Sequence, residues 1–210
     1  MIYLLRHGLT QDDGEKRFIG QLDLPLVETG RQQARQWREI FKPVELEAIY
    51  CSDLQRSVET AKIIARERHL SLRIVPELRE INLGDWEGMA MGSVRRNFPD
   101  EWHNRGLDLA SYSPPGGESF NDLKNRVIPA YEKLVSEAQG HILVVAHAGV
   151  NRMILCHLLG MPVPNLFRLK QDYGGLNIID QWNNSPRVSA INMLPGGLVI
   201  GKGKSCLKHS

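Results

Sequence analysis

Arg6-His7-Gly8 follows directly on the apolar run Ile2-Tyr3-Leu4-Leu5, so a short buried strand ends in a guanidinium and an imidazole. A second such end is Val145-Ala146-His147-Ala148-Gly149, after the β-branched run that begins at Ile142. A third is Cys51-Ser52, with Arg56 in the first turns of the helix that follows, and a fourth leads from the strand at Leu72 to Glu80. Open α/β sheets bind ligands at the carboxyl ends of their strands, so in one parallel sheet these residues would share a rim. Two guanidiniums, two imidazoles and one carboxylate suit phosphoryl transfer through histidine. A neutral imidazole attacks phosphorus and forms a phosphohistidine, which splits one hard displacement into two easier ones. Arg6, Arg56 and the second histidine would clamp the equatorial oxygens. A carboxyl group such as Glu80 would protonate the leaving oxygen and then activate water. This chemistry requires no metal and no cofactor.

The elements that must position these groups alternate along the chain. Thr29-Gly30 starts a helix running to about Phe41, with Ala34, Trp37 and Ile40 on one face. Ala48 to Cys51 reads as a strand, and Asp53 as the N-cap of a helix that turns Val58, Ala61, Ile64 and Ala65 inward. Leu72 to Val75 is a strand ended by Pro76. From Asn82 to Glu118 the pattern breaks up, punctuated by Gly84, Gly88, Gly92, Gly106 and Pro114-Pro115-Gly116-Gly117, as in a lid or binding loop. A helix from Ser119 to about Ala138 contains Pro129, which predicts a kink or a break, and Glu118 and Ser119 are candidates to cap it. Ile142 to Ala146 is a central strand buried on both faces, followed by a helix from Val150 to Leu159 that closes at Gly160. Leu176 to Gln181 and Arg187 to Met193 read as an antiparallel pair at a sheet edge. The expectation is one α/β domain over residues 1–210, with a lid insertion around 82–118 and a Gly- and Lys-rich tail over 196–210.

Composition narrows the function classes. At 210 residues, 42% hydrophobic and 24% charged, the chain has the balance of an ordinary globular domain. A net charge of +2, with scattered basic residues, argues against a nucleic-acid partner. Cys51, Cys156 and Cys206 are an odd set without CxxC spacing, which argues against a disulfide framework and a zinc site. There is no long apolar span and no secretory signal pattern, so a cytoplasmic protein without membrane partners is expected. The exposed strand pair at the sheet edge leaves a homodimer open.

The motifs together resemble a known family. Leu5-Arg6-His7-Gly8-x-Thr10, Ser52-Asp53-Leu54-x-Arg56-Ser57-x-x-Thr60-Ala61, Leu78-Arg79-Glu80 with Gly84-Asp85-Trp86-Glu87-Gly88, Gly116-Gly117-Glu118-Ser119 and Ala146-His147-Ala148-Gly149 are similar, in this order, to the histidine phosphatase superfamily, phosphoglycerate-mutase-like branch. The resemblance spans residue 2 to about residue 180. It implies a three-layer α/β/α sandwich on a mostly parallel mixed sheet. It also implies His7 as the phosphorylated nucleophile, Arg6 and Arg56 as the phosphate clamp, His147 as a further phosphate ligand, and Glu80 as general acid and base.

Asp13, Ile19 and Ala148 depart from the family's pattern, and Asp85 and Glu87 compete with Glu80 for the acid role. The short chain and the Gly-Asp-Trp-Glu-Gly run resemble the phosphatase subgroup rather than the mutases. The expected substrate is therefore a small phosphomonoester. The run Gln171-Asp172-Tyr173-Gly174-Gly175-Leu176-Asn177 adds a likeness to α-ribazole phosphate phosphatases of cobalamin biosynthesis and to broad-specificity phosphatases. Arg95, Arg96, His103 and Arg105 are cations that could read a second anionic group on the substrate, or equally lie in solvent. The competing readings are a phosphoglycerate mutase-type transfer, a non-catalytic phosphate-binding scaffold, and a metallohydrolase. The last lacks an HxH or HExxH pair.

Overall fold

In a computed structural model, residues 1–10, 14–68, 70, 72–183 and 185–197 are described. Twelve main elements follow one another: β1 Ile2–Arg6, α1 Glu28–Phe41, β2 Leu46–Cys51, α2 Gln55–Ala65, β3 Leu72–Ile74, α3 Met91–Asn97, α4 Pro99–Leu107, α5 Phe120–Glu137, β4 His141–Ala146, α6 Ala148–Leu158, β5 Leu176–Trp182 and β6 Ser185–Met193. The six strands form one sheet in the order β3-β2-β4-β1-β5-β6. β3, β2, β4 and β1 are parallel, and β5 runs against both of its neighbours.

Successive strand residues point to opposite faces, and each face meets its own helices. Ile2, Leu4, Tyr50, Ile142 and Val144 share a core with Leu123, Val127 and Tyr131 of α5 and Val150 and Met153 of α6. Tyr3, Leu5, Ile49, Leu143 and Val145 share another with Trp37 and Phe41 of α1 and Ala61 and Ile64 of α2. The result is the expected α/β/α sandwich. β4 carries the longest apolar run because both of its faces are covered.

The chain leaves β1 toward β2 over one face and leaves β4 toward β5 over the other. The connections therefore diverge at the neighbouring ends of β1 and β4, where a crevice opens. Arg6 and Ala146 are in register there.

Several local expectations are corrected. Asp53 does not cap α2: its carboxylate pairs with Arg79, Leu54 is the N-cap residue, and the Gln55 N–H donates instead to Asp23 Oδ1 at 2.7 Å. β2 begins two residues earlier than its apolar run suggested, and β3 stops at Ile74 because Val75 opens a 3-10 turn at Pro76–Leu78. α5 runs through Pro129 unbroken. It is capped by Ser119 and Asp122 in a capping box, while Glu118 pairs with Arg126. α6 starts at Ala148, directly after His147 rather than at Val150.

The 82–118 segment is not irregular throughout. α3 and α4 lie within it, organised around a small core of Phe18, Trp86 and Val94. The segment preceding Leu22 docks on it through Phe18 N–H to Met89 O at 2.9 Å and Gly88 N–H to Phe18 O at 2.6 Å. Asp13, His69, Cys206, His209 and the tail from 198 lie outside the described residues.

Candidate active site

His7 emerges from β1 with its backbone tied on both sides. Its N–H donates to Ala146 O at 3.0 Å, and its carbonyl accepts from Gly174 N–H at 3.0 Å. The turn that follows runs against the start of α1, where Gly8 and Gly30 meet backbone to backbone. A Cβ on Gly8 would lie 2.4 Å from Gly30 O.

The imidazole is buried, at 4% exposure, and its Nδ1 lies 2.8 Å from Gly8 O. A carbonyl only accepts, so Nδ1 carries the proton and Nε2 carries the lone pair. Arg56 Nε–H donates to that Nε2 at 3.2 Å.

Arg56 lies in the first turn of α2 and is 1% exposed, with its guanidinium fixed by two remote carbonyls. It donates to Leu22 O at 2.7 Å and to Gly20 O at 2.6 Å. Arg6 donates to Gln171 O at 2.7 Å and stacks on the Tyr173 ring at 3.6 Å, and Tyr173 also lies against His7.

His147 is the N-cap residue of α6, fully buried, with its ring centroid 5.0 Å from that of His7. Its Nε2 shares a hydrogen bond of 2.7 Å with Ser52 Oγ. His147 Nδ1, Arg6 Nε and Thr10 Oγ1 are buried polar atoms with no hydrogen-bond partner among the described residues. Interiors rarely leave such atoms unpaired, and three of them beside one crevice mark a place for a polar ligand. The N-terminal end of α6 adds the partial positive charge that attracts anions.

Glu80 reaches the same place from the other side. Its carboxylate accepts from Gly149 N–H at 2.9 Å and from its own neighbour Ile81 N–H at 2.9 Å. Gly149 is required there, since a Cβ would fall 2.3 Å from Glu80 Oε1. The turn carrying Glu80 is held by Arg126 of α5, which donates to Glu77 O at 2.7 Å and Arg79 O at 3.0 Å while gripping Glu118 through two nitrogens. Gln21 Nε2 donates to Glu80 O at 3.1 Å, which connects that turn to the loop that fixes Arg56.

Burial and the neighbouring guanidiniums of Arg56 and Arg6 hold His7 well below the usual 6.5, and the same causes act on His147. Both rings are therefore neutral at neutral pH. Burial also lowers Arg6 and Arg56 from their ordinary value, but guanidinium groups of this basicity remain charged. The site thus combines two fixed cations with an unprotonated ring nitrogen, and its donors outnumber its acceptors. That arrangement suits an acceptor-only oxyanion that can draw the Arg56 N–H away and whose central atom the unprotonated nitrogen can then attack.

Arg6, His7, Arg56, Glu80 and His147 are thus brought together. The competing carboxylates are not: Asp85 is exposed, and Glu87 is occupied by the N–H groups of Gln21, Leu22 and Leu83. Ile19 is half-buried beside Gly20, whose carbonyl serves Arg56. Arg95, Arg96 and His103 are exposed, His141 bonds the N-terminal amine, and His157 faces Glu132. Trp86 is an anchor, fully buried and stacked on Tyr112.

Thr10, Ser52 and Tyr173 belong to the site but were not singled out from sequence. The first two sit inside the motifs that carry His7 and Arg56, which was the available signal. Among the described residues, no group of three or more His, Cys, Asp or Glu side chains could hold a metal ion, and no helix is long and apolar enough to cross a membrane.

Comparison with known proteins gives concordant findings. Residues 2–194 match the model of the histidine phosphatase superfamily, branch 1. The chain is 31% identical over 181 residues to the adenosylcobalamin/alpha-ribazole phosphatase of Escherichia coli strain K12, covering 85% of this chain and 89% of that protein. It is 34% identical over 175 residues to the glucosyl-3-phosphoglycerate phosphatase of Mycolicibacterium vanbaalenii, covering 78% of this chain and 76% of that one. The crystal structure of the alpha-ribazole phosphatase from Shigella flexneri superposes with a TM-score of 0.84 at 27% identity, covering 91% of this chain and 96% of that one.

Proposed function

The chain belongs to the histidine phosphatase superfamily, branch 1, and from the geometry of its site we propose that it hydrolyses small phosphomonoesters through a phosphorylated His7. The observation that carries this reading is the His7 ring itself, neutral, with Nδ1–H spent on Gly8 O and the Nε2 lone pair turned to Arg56.

In the first displacement Nε2 forms a bond to phosphorus as the bond to the leaving oxygen breaks. Glu80, entering as the acid, gives that oxygen its proton. In the second, the Glu80 carboxylate takes a proton from water, the water oxygen bonds to phosphorus, and the N–P bond breaks. Inorganic phosphate leaves, and both side chains return to their starting states.

Arg6, Arg56 and His147 stabilise the oxygens during both steps. For His147 this means the tautomer in which Ser52 Oγ–H donates to Nε2, leaving Nδ1–H for the phosphate. Transfer to water rather than to a second substrate hydroxyl separates this reading from a mutase. Retention of both nucleophile and acid candidates separates it from a scaffold.

Denaturing quench at alkaline pH, where a phosphoramidate survives, should trap a phosphoenzyme on His7 together with release of inorganic phosphate. Absence of the adduct in the wild-type chain, or its persistence in His7→Ala, would overturn the mechanism. The relatives act on esters as different as their names indicate, so a substrate panel decides among small phosphomonoesters. If α-ribazole 5'-phosphate is turned over no faster than p-nitrophenyl phosphate, it is not the specific substrate.

A further inference from the structure

Arg105 and Arg152 come from separate parts of the chain and both approach one ring. Arg105 is on α4 within the insertion, Arg152 is on α6 five residues beyond His147, and Phe167, the ring both approach, is on the 3-10 turn Val163–Arg168. The two guanidinium carbons lie 5.9 and 5.2 Å from the centre of the Phe167 ring. That turn is anchored by buried Val163 and Leu166, yet Phe167 itself remains 51% exposed, steadied edge-on by Phe120.

The cluster adjoins the catalytic crevice. Arg152 Nε donates to Leu169 O at 2.9 Å, and two residues further on Gln171 O receives Arg6. Arg152 is also near enough to Glu80 and Arg6 for their charges to act on it. It is therefore within electrostatic reach of Glu80, the group proposed to protonate the leaving oxygen.

Neither arginine forms an ion pair with a carboxylate among the described residues. Arg105 makes no hydrogen bond there either, lying near the rings of Phe18, Trp102 and Phe167 and within electrostatic reach of Tyr112. Burying a guanidinium is costly unless it is paired, and both are lowered from their ordinary value by burial. Two partly desolvated cations without a direct ion pair, beside a half-exposed ring, suit an anion that arrives with the substrate.

We propose that Arg105, Arg152 and Phe167 form a leaving-group subsite for a second anionic group, a carboxylate or a second phosphate, so that the preferred substrates are small phosphomonoesters carrying one. This rests on the phosphomonoesterase reading and narrows it.

The test compares esters that differ only in that group. 3-Phosphoglycerate and glycerol 3-phosphate differ by one carboxylate, and fructose 1,6-bisphosphate and fructose 6-phosphate by one phosphate. The charged member of at least one pair should have a kcat/KM about tenfold or more above its partner. Arg105→Gln and Arg152→Gln should each remove most of that ratio through KM, while Arg105→Lys keeps part of it. Thermal unfolding of each variant near the wild-type temperature shows that the fold is intact.

Equal turnover within both pairs overturns the proposal, as do variants that lower both members in proportion. A preference for phenyl phosphate that disappears in Phe167→Ala would make this an aromatic subsite instead. If p-nitrophenyl phosphate is not hydrolysed and no phosphoenzyme forms, the phosphomonoesterase reading fails and this inference with it.

Discussion

The rim at the ends of β1 and β4 and the insertion over 82–118 both carry arginines and aromatic rings, but they hold them differently. At the rim every guanidinium is pinned by backbone carbonyls from distant segments, Arg6 by Gln171 and Arg56 by Gly20 and Leu22. In the insertion Arg96, among the described residues, reaches only Ser93 on its own helix, and Arg95 is exposed beside it. The rim stands on a sheet covered by helices on both faces, whereas the insertion is organised by a small core around Phe18, Trp86 and Val94. Groups that must meet a phosphorus atom within tenths of an ångström belong on the first kind of support. Groups that choose among leaving groups tolerate the second, as loops on a rigid scaffold generally do.

The contrast can be broken by experiment. Glu80→Gln should lower kcat on alkyl phosphates by about 10²–10⁴-fold and on p-nitrophenyl phosphate far less, because a good leaving group needs little protonation. An equal loss on both esters would remove Glu80 from the acid role. Arg126→Lys leaves the charge but not the fork that holds the Glu80 turn, so a smaller loss of about tenfold is expected, again larger for alkyl esters. A loss independent of the leaving group would make Arg126 merely structural.

The two buried rings give a pH test. In the unfolded chain histidine titrates near 6.5, while folding depresses His7 and His147 well below it. Below pH 6.5 the unfolded state binds more protons, so this stabilisation is complete above that pH and is lost as pH falls toward the folded values. The unfolding temperature should fall on acidification from about pH 7 to 5, and ¹⁵N NMR at about pH 6 should show both rings neutral. Rings that titrate at 6.5 would contradict the burial argument. The smallest effect is expected from Arg95→Ala and Arg96→Ala, within about twofold on any ester, because exposed charges contribute little. A loss above tenfold would show that the outer face of the insertion touches substrate.

Much of the fold was legible because apolar periodicity reports which faces are covered. The run Ile142–Ala146 announced a strand buried on both sides, and Ala34 and Trp37 marked the inner face of α1, although Phe41 is buried more fully there than Ile40. Asp53 has the position of a cap but not the role, because an aspartate before a helix is a good cap only if nothing competes for it, and Arg79 does. The insertion reads as irregular in sequence because α3 and α4 are seven and nine residues long, too short for a clear helical period among so many glycines.

The sequence by itself determined that Arg6, His7 and His147 would stand at the ends of buried strands, since that follows from local runs of apolar residues and a backbone that alternates its side chains. Tertiary structure decided which of three nearby carboxylates binds the N–H of Gly149, which nitrogen of His7 keeps its lone pair, and that Arg105 and Arg152 both lie beside Phe167. Each depends on a partner far along the chain, as when Glu80 finds the N–H of Gly149. A hydrogen bond between remote segments leaves no periodic trace in the residues that make it; it exists only once the packed layers have brought the two backbones within reach.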